Sequence, residues 1–318
     1  MKIIVTGAAG FIGFHLVKKL LRKKIEVIGI DNLNDYYDKK IKQKRLNILK
    51  KNRNFKFFIL DLKNKKNLKK ISKEVNFIYH LAGQAGVRYS IENPNAYIED
   101  NVIAYINLLE HFKNSKKLKG IFYASSSSVY GNTERKLSKN LANKPISVYA
   151  ASKLTMELLS EVYFNLYNLK CIGLRFFTVY GPWGRPDMAY YKFCKLILEN
   201  KKIEVYNRGK HKRSFTYIDD IIDNVLLIKK HMNKINFQKL SVFNVGNPKN
   251  ESLKKFINII ESNLKKKSKK VFKKKQMGDV VNTKSNNIVE KKLFKFKYKT
   301  DLKTGMKKFI YWYLNEYR

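Results

Sequence analysis

The sequence has few of the features that mark secreted, metal-binding or membrane proteins. It contains two cysteines, Cys171 and Cys194, which form no metal-ligand or redox pattern. Two reduced structural thiols are typical of a cytoplasmic protein. No apolar run approaches the roughly 20 residues that cross a membrane. The chain enters a strand at once, without a basic and then apolar leader, which predicts no signal peptide. We therefore expect a cytoplasmic protein without a metal centre.

Acidic residues are also scarce, with 25 Asp and Glu against 67 Lys and Arg, a net charge of +42. Such an excess is typical of proteins that bind nucleic acids or acidic membranes. Here the lysines are spread along the polar sides of predicted helices, and we find no nucleic-acid-binding module. Compositional bias is the better explanation, so we expect neither nucleic acid nor membrane as a partner. A positive field would still steer an anionic substrate.

The start of the chain, MKIIVTGAAGFIG, predicts a nucleotide-binding fold. A short β-branched strand, Lys2–Val5, is followed by Gly7, Gly10 and Gly13 and then by a segment of helical apolar periodicity. Gly7 permits a sharp turn. Gly10 lets the backbone approach a pyrophosphate at the helix N-terminus, and Gly13 lets the helix lie close to the strand. This order of strand, glycine turn and helix favours a dinucleotide cofactor.

Asp31 ends the next predicted strand, about 20 residues beyond the glycine turn. A carboxylate there binds the adenosine ribose hydroxyls; the ordinary alternative is an aspartate that only caps its strand. Asp31 would repel a 2′-phosphate and no arginine adjoins it, so we expect NAD rather than NADP.

Alternating strands and helices predict an α/β fold, a doubly wound, mostly parallel Rossmann sheet with a smaller C-terminal α/β substrate lobe. The predicted strands after the first are Glu26–Ile30, Phe55–Leu60, Val75–His80, Ile121–Ala124, Lys170–Phe176, Ile203–Tyr206 and Val242–Val245. Predicted helices include those over Lys39–Asn52, Asn64–Ser72, Asn95–Phe112, Tyr149–Tyr163 and Met188–Glu199. The expected NAD-binding domain is 1–176 with a returning segment 213–247, and the nucleotide-sugar-binding lobe is 177–212 with 248–318. We expect the lysine-rich stretch Lys265–Lys275 to be an exposed loop or helix face.

Several polar residues follow predicted strands, at the sheet edge where doubly wound folds bind ligands. Asp61 could meet the adenine amino group or cap the next helix, and the sequence leaves both open. Arg88 offers a fork-shaped donor for a carboxylate or phosphate, and its ordinary alternative is a surface ion pair with Glu92. Asn101 is a polar residue that could support the site from a helix.

Tyr149 and Lys153 form the strongest catalytic pair. Their four-residue spacing places them on one helix face. A nearby ammonium lowers the pKa of a phenol, which makes Tyr149 a competent general base near neutral pH. The serine run Ser125–Ser128, after a predicted strand, could hydrogen-bond a sugar hydroxyl, although a serine run alone is more often a flexible loop.

With these motifs together, the chain resembles the extended short-chain dehydrogenase/reductase family over essentially its full length. Within it the likeness is greatest to nucleotide-sugar 4-epimerases, and in particular to UDP-glucuronate 4-epimerases. The matching stretches are TGAAGFIG, DNLNDYYD from Asp31, HLAGQAGVRYS from His80, SSSSVYG from Ser125, YAASK from Tyr149, LRFFTVYGPWGRPDMA from Leu174 and RSFTYIDDI from Arg213.

The resemblance implies a mechanism. Tyr149 takes the proton from the C4 hydroxyl of a UDP-sugar while a hydride passes to tightly held NAD. Ser126 and Ser127 hydrogen-bond that oxygen, and Lys153 holds the nicotinamide ribose. The 4-keto sugar turns over and takes the hydride back on its other face, which converts UDP-glucuronate to UDP-galacturonate for surface polysaccharide.

The same resemblance implies the remaining site residues. For the cofactor it implies Gly7, Gly10, Phe11, Ile12, Gly13, Asp31, Asn32, Asp61, Leu62, Leu81, Ala82, Gln84, Asn101, Tyr149 and Lys153. For the substrate it implies Arg88, Ser127, Ser128, Thr178 and Arg185 as unranked holders of the sugar carboxylate, Arg213 on the phosphates and Asp279 on the uridine ribose. It also implies a homodimer through the helices near Asn95–Phe112 and Ser152–Tyr163.

Related families sharpen this expectation. The 4,6-dehydratases carry an Asp-Glu pair at Ser127 and Ser128, and the UDP-glucuronate decarboxylases carry Glu at Ser128. Serines at both positions favour plain epimerisation. Alternatives are a 4-epimerase of a neutral UDP-hexose or UDP-N-acetylhexosamine and, with less support, a decarboxylase or a non-catalytic nucleotide-sensing protein.

Three departures from the family pattern bear on affinity. Gly83 replaces the usual alanine, Ser214 replaces an aspartate and Met277 replaces a proline. None removes a catalytic group.

Overall fold

A computed structural model describes residues 1–132, 143–276 and 278–317 of the chain. The strands are β1 (Lys2–Thr6), β2 (Glu26–Asp31), β3 (Phe55–Ile59), β4 (Phe77–His80), β5 (Gly120–Ser126), β6 (Cys171–Phe176), β7 (Thr178–Tyr180), β8 (Lys202–Tyr206), β9 (Lys212–Arg213), β10 (Phe215–Tyr217), β11 (Val242–Val245), β12 (Glu251–Ser252), β13 (Lys269–Lys273) and β14 (Asn282–Thr283).

The α-helices are α1 (Phe11–Arg22), α2 (Lys39–Lys50), α3 (Lys65–Leu68), α4 (Tyr89–Glu92), α5 (Pro94–Tyr97), α6 (Ala104–Phe112), α7 (Val148–Tyr167), α8 (Ala189–Leu198), α9 (Ile218–Lys230), α10 (Leu253–Leu264), α11 (Ile288–Phe294) and α12 (Leu302–Trp312). A π-helical segment, Ile98–Ile103, joins α5 to α6, and a 3₁₀ turn, Ser127–Tyr130, follows β5.

The central sheet has seven strands in the order β11-β6-β5-β4-β1-β2-β3. Strand β1 lies between β2 and β4 and is parallel to both, with Thr6 opposite Ile30 on one side and His80 on the other. From β1 the sheet continues through β2 and β3 on one side and through β4, β5 and β6 on the other. The carboxyl ends of β1 and β4 therefore form the switch point where doubly wound folds bind ligands. The predicted fold class is confirmed.

The helices that flank this sheet bury apolar faces in its core. One cluster joins Ile4 and Ile78 of the sheet to Leu108 of α6 and Met156 of α7. The start of α7 is set by Ser147, whose hydroxyl accepts a hydrogen bond from the Ala150 amide at 3.2 Å. This cap places Tyr149 in the first turn of α7.

The chain divides into two compact units. The first contains Met1–Gly131, the described residues from 143 to Arg175, and His231–Phe243; the second contains Phe176–Lys230 and the described residues from Asn244 onwards. In the second unit β7 pairs with β10, β8 pairs with β13, and β9 lies between β12 and β14. The domain boundaries expected from the sequence, which grouped 213–247 with 1–176, stay a prediction.

Three predicted elements were wrong in type or extent. The stretch Lys265–Lys275 is exposed as expected, but it contains a strand, β13, because its residues Lys269–Lys273 pair in parallel with β8. The helix expected over Asn64–Ser72 is limited to α3, which Asn64 caps by accepting from the Lys66 amide. The helix expected over Asn95–Phe112 is interrupted by the π-helical segment, which lies beside the site.

Candidate active site

The glycine turn after β1 leaves no room for side chains. Gly7 has φ +68°, and a Cβ there would lie 2.7 Å from the Ala82 amide nitrogen. A Cβ on Gly10 or Gly13 would lie 2.9 or 2.0 Å from the Gly7 carbonyl oxygen. No side chain caps α1, whose N-cap is Gly10. The N-terminus of α1 therefore presents bare backbone amides of the kind that bind a pyrophosphate.

Asp31 lies at the end of β2 with its carboxylate tied to the glycine turn. It is buried, and its two oxygens accept hydrogen bonds from the Ala9 amide at 3.1 Å and the Leu33 amide at 2.9 Å. These amides fix the carboxylate beside the turn, where an adenosine ribose is expected in this fold.

Two basic residues near Asp31 were not predicted from the sequence. Arg45 of α2 is fully buried and donates to the Ala9 carbonyl at 2.8 Å. Lys42 is also buried, donates to the Asn34 carbonyl at 2.7 Å, and has its pKa lowered by burial although Asp31 opposes that shift. Both cations are bound by protein oxygens, so their presence does not create a receptor for a 2′-phosphate.

A buried amide network joins the loop after β4 to α7. Asn101, in the π-helical segment, donates to the Gln84 carbonyl at 3.1 Å and to the Ser152 hydroxyl at 2.9 Å, and Ser152 donates to the Tyr149 carbonyl at 2.8 Å. The Asn101 Oδ1 atom is buried and has no hydrogen-bond partner among the described residues. A Cβ on Gly83 would lie 2.3 Å from that oxygen, so glycine makes room for this network.

Lys153 is a buried cation on the same face of α7 as Tyr149. It is 4% exposed, and burial lowers the pKa of its ammonium to about 8. Its hydrogen-bond partner is the Met156 sulfur at 3.7 Å, and no carboxylate in the described part of the chain pairs with it. Tyr149 is half-buried and packs edge-on against Tyr97, with ring centroids 5.9 Å apart.

The serine run lies at the carboxyl end of β5. Ser126 and Ser127 are buried, whereas Ser128 is half-buried. The Ser126 hydroxyl oxygen accepts from the Ser128 amide at 3.1 Å and so caps the 3₁₀ turn. Its hydrogen can still be donated, so this role is compatible with binding a sugar oxygen. The serine run thus ends β5 with Ser125 and Ser126 and begins the 3₁₀ turn with Ser127 and Ser128.

Asp61 and His80 have structural contacts. Asp61 accepts from the Lys63 amide at 2.9 Å but does not cap α3. His80 is fully buried, lies 2.9 Å from the Thr6 hydroxyl and stacks on Tyr105. Burial lowers the pKa of His80 to about 3, so this ring is neutral and packed. Because Asn64 and not Asp61 caps α3, the cap suggested for Asp61 is wrong, and its contact with the adenine amino group stays a prediction.

The other predicted cofactor residues of the first unit differ in their exposure. Phe11, Leu62 and Gln84 are buried; Ile12, Leu81 and Ala82 are half-buried; Asn32 is exposed. Arg88 is exposed at the start of α4, in the loop that follows β4. The glycine turn, Asp31 and Leu81 lie at the ends of the neighbouring strands β1, β2 and β4, and the cofactor roles of the other residues stay predictions.

In the second unit, Arg185 is bound by a carboxylate of its own loop. Its Nε donates to Asp187 Oδ1 at 3.0 Å and its Nη2 to Asp187 Oδ2 at 2.5 Å. Thr178, half-buried at the start of β7, donates its amide to the Ser214 carbonyl at 3.2 Å. Asp187 was not predicted from the sequence, although it lies only two positions from Arg185 and has the opposite charge.

Arg213 and Asp279 are neighbours in the second unit. Arg213 donates to the Val281 carbonyl at 2.9 Å, which brings it close to the segment that carries half-buried Asp279. Ser214 is fully buried and donates to the Asn247 carbonyl at 2.5 Å. This serine thus takes a structural hydrogen bond in place of the expected aspartate. Met277 lies outside the described residues.

These features fit a dinucleotide. The glycine turn is packed so tightly that a Cβ would collide with its backbone, α1 begins without a side-chain cap, and Asp31 is held beside the turn. Near Gly83, the buried Lys153 ammonium has no carboxylate partner and the Asn101 Oδ1 atom has no hydrogen-bond donor among the described residues. Ribose hydroxyls can serve both groups, since a hydroxyl both donates and accepts.

A sequence model of the NAD dependent epimerase/dehydratase family matches residues 3–246. The chain belongs to this family. NAD is accordingly its cofactor, and the resemblance inferred from the motifs is confirmed.

Relatives within the family match the whole chain. An uncharacterised protein of Methanocaldococcus jannaschii is 48% identical over 98% of this chain and 96% of its own length. UDP-glucuronate 4-epimerase 4 of Arabidopsis thaliana is 43% identical over 99% of this chain and 76% of its own length. A solved structure of UDP-glucuronic acid 4-epimerase from Bacillus cereus, in complex with UDP-glucuronic acid and NAD, is 33% identical with a TM-score of 0.92 over 98% of both chains.

No helix in the described part of the chain is both long and apolar enough to cross a membrane.

Proposed function

We propose that this protein is an NAD-dependent UDP-glucuronate 4-epimerase, an isomerase that interconverts UDP-glucuronate and UDP-galacturonate. The observation that carries the proposal is the pair Tyr149 and Lys153 on one face of α7, in a chain similar along its whole length to proteins named UDP-glucuronate 4-epimerase. These similarities confirm the class of reaction predicted from the motifs.

Each catalytic side chain has a distinct task. When bound, NAD supplies the hydride acceptor and donor for C4 of the sugar. Tyr149 removes the proton from the C4 hydroxyl and returns it after the sugar has turned over. The Lys153 ammonium stabilises the phenolate of Tyr149 and binds the nicotinamide ribose. Ser126 and Ser127 hold the C4 oxygen with their hydroxyls. The hydride leaves and returns on opposite faces of C4, so the configuration inverts without net oxidation.

The substrate carboxylate imposes a further demand on the site. In the 4-keto sugar the ketone lies β to the carboxylate, and such acids lose carbon dioxide readily. We infer that Arg185 holds the carboxylate where this loss is disfavoured; Thr178, Arg88, Ser127 and Ser128 stay the alternative holders that the family resemblance implies. The bidentate contact with Asp187 supports this role for Arg185, because it fixes the plane of the guanidinium before substrate arrives.

The UDP portion is assigned to the second unit. Arg213 on the phosphates and Asp279 on the uridine ribose are supported by the contact between Arg213 and the Val281 carbonyl, two residues from Asp279. A guanidinium is suited to phosphate and a carboxylate to a ribose diol.

Incubation of the purified protein with UDP-glucuronate, without added NAD, tests the proposal. We expect UDP-galacturonate by chromatography and NMR. Tyr149→Phe should reduce kcat by about 10²–10⁴-fold while NAD remains bound, and Tyr167→Phe on the exposed side of α7 is the matched control. Carbon dioxide with a UDP-pentose would identify a decarboxylase, and no turnover with NAD supplied would refute the assignment.

A second experiment separates UDP-glucuronate from a neutral sugar. Arg185→Ala should abolish activity with UDP-glucuronate selectively. Equal losses with UDP-glucuronate and UDP-glucose would contradict the carboxylate role of Arg185 and favour a 4-epimerase of a neutral UDP-hexose.

We also propose a cytoplasmic homodimer. Leu158, Val162 and Leu166 of α7 are 58%, 48% and 66% exposed, and their spacing places them on one face. Ile98 and Ile103 of the π-helical segment are exposed as well. An apolar stripe of this kind is typical of a helix that packs against a second copy.

The two cysteines are buried thiols, which supports the proposed location in a reducing compartment, the cytoplasm.

A further inference from the structure

A buried ion pair lies behind the catalytic residues and has no part in the proposed chemistry. Arg175 of β6 and Glu157 of α7 are 3% and 8% exposed. The Arg175 Nε donates to Glu157 Oε1 at 2.8 Å and its Nη2 to Oε2 at 2.6 Å. The sequence carries a sign of this pair, because Arg175 interrupts an apolar strand and Glu157 follows Lys153 by one helical turn.

This pair holds the segment Ser125–Tyr130, here named the serine segment, at both ends. At its start the Ser125 hydroxyl donates to Glu157 Oε1 at 2.5 Å. At its end the Arg175 guanidinium lies over the Tyr130 ring, 4.6 Å from the centroid. The two serines proposed to bind the C4 oxygen lie between these points.

The same pair connects the serine segment to the catalytic helix. Tyr149, Lys153 and Glu157 follow at intervals of four and share one face of α7, with about 12 Å between the first and the last. One face of a rigid helix therefore carries the general base, the ammonium and the carboxylate that binds the serine segment.

Stability alone gives little reason for a pair of this kind. A buried ion pair pays a large desolvation penalty, and replacing it with packed apolar residues is often neutral or stabilising. Geometry gives a better reason, because a displacement of about 1 Å between reacting groups can lower the rate by about a hundredfold.

We propose that Arg175 and Glu157 are positioning residues that set the serine segment against Tyr149 and Lys153, and so hold the C4 oxygen for proton and hydride transfer. This inference rests on the proposed epimerase activity. Neither residue touches the substrate; both act through Ser125 and Tyr130.

The test compares kinetic constants and product ratios. Glu157→Leu combined with Arg175→Met removes the pair without leaving a buried charge. We expect kcat to fall at least about tenfold with the KM for UDP-glucuronate and the amount of retained NAD unchanged. Because a loosened serine segment holds the keto acid less strictly, the ratio of UDP-pentose to UDP-galacturonate should rise.

Ser125→Ala provides an independent variant if the double substitution does not fold. It removes the hydroxyl that joins the serine segment to Glu157 and should lower kcat in the same manner, with partial recovery in Ser125→Thr. Ser160→Ala is the matched control, because that buried serine of α7 bonds Tyr105 and not the serine segment. A kcat within about twofold of the wild type in Ser125→Ala would overturn the inference, whereas an inactive wild type would overturn the proposed function instead.

Discussion

Replacing Lys153 with methionine should stabilise the cofactor-free protein while it abolishes activity. Burial lowers the pKa of the Lys153 ammonium from 10.5 to about 8 in the folded chain. Each pKa unit corresponds to about 1.4 kcal/mol, so the charged amine costs the cofactor-free fold roughly 3 kcal/mol at neutral pH. For a chain of 318 residues this corresponds to a rise in Tm on the order of 5 °C when the charge is removed.

The pH dependence of this stability difference shows whether the buried charge of Lys153 is its cause. Between pH 8 and about 10.5 the unfolded chain keeps a proton that the folded chain has released, so the contribution of Lys153 to stability rises with pH in this window. The advantage of Lys153→Met should therefore be constant below pH 8 and decline towards zero above it.

Thermal and urea unfolding of NAD-stripped protein from pH 6 to about pH 10.5 measures this difference. Lys195→Met, on the exposed face of α8, is the matched control and should change stability little. A lower Tm for stripped Lys153→Met at pH 7, or a difference that does not shrink above pH 8, would refute the reasoning.

Three further predictions concern the cofactor wall and the exposed face of α7. Gly13→Ala should release NAD and lower the Tm, since its Cβ would lie 2.0 Å from the Gly7 carbonyl oxygen; normal NAD content in the purified variant would contradict this. Gly83→Ala should weaken NAD retention, measured by absorbance after dialysis, because its methyl group would lie 2.3 Å from Asn101 Oδ1. Leu166→Arg should shift the protein towards monomer in sedimentation experiments, and an unchanged mass would argue against the proposed dimer face.

The parts of the site that the sequence predicted are those with local signals. The glycine turn, Asp31 after its strand and the four-residue spacing of Tyr149 and Lys153 each lie within one or two elements. Strand Val242–Val245 was predicted with the bounds that the structure has. In such segments, turn chemistry and periodicity determine the structure, so they are visible without tertiary information.

The residues that were missed depend on distant partners. Arg45 contacts the carbonyl of Ala9, 36 positions away. Asn101 was predicted as a site residue, but its hydrogen bond to Ser152, 51 positions away, was not. A charged residue on an amphipathic helix gives no local sign that it turns inward. The lysine-rich β13 was misjudged for a related reason, since its pairing with β8 outweighed its composition.

The π-helical segment Ile98–Ile103 changes the direction in which this part of the chain presents its side chains. Its hydrogen bonds run from i to i+5, so its turn holds one residue more than an α-helical turn. One residue corresponds to about 100° of rotation in an α-helix, so the wider turn separates the face that carries Asn101 from the face that α6 buries. Asn101 can therefore bond Gln84 and Ser152 while Leu108 of α6 packs in the core.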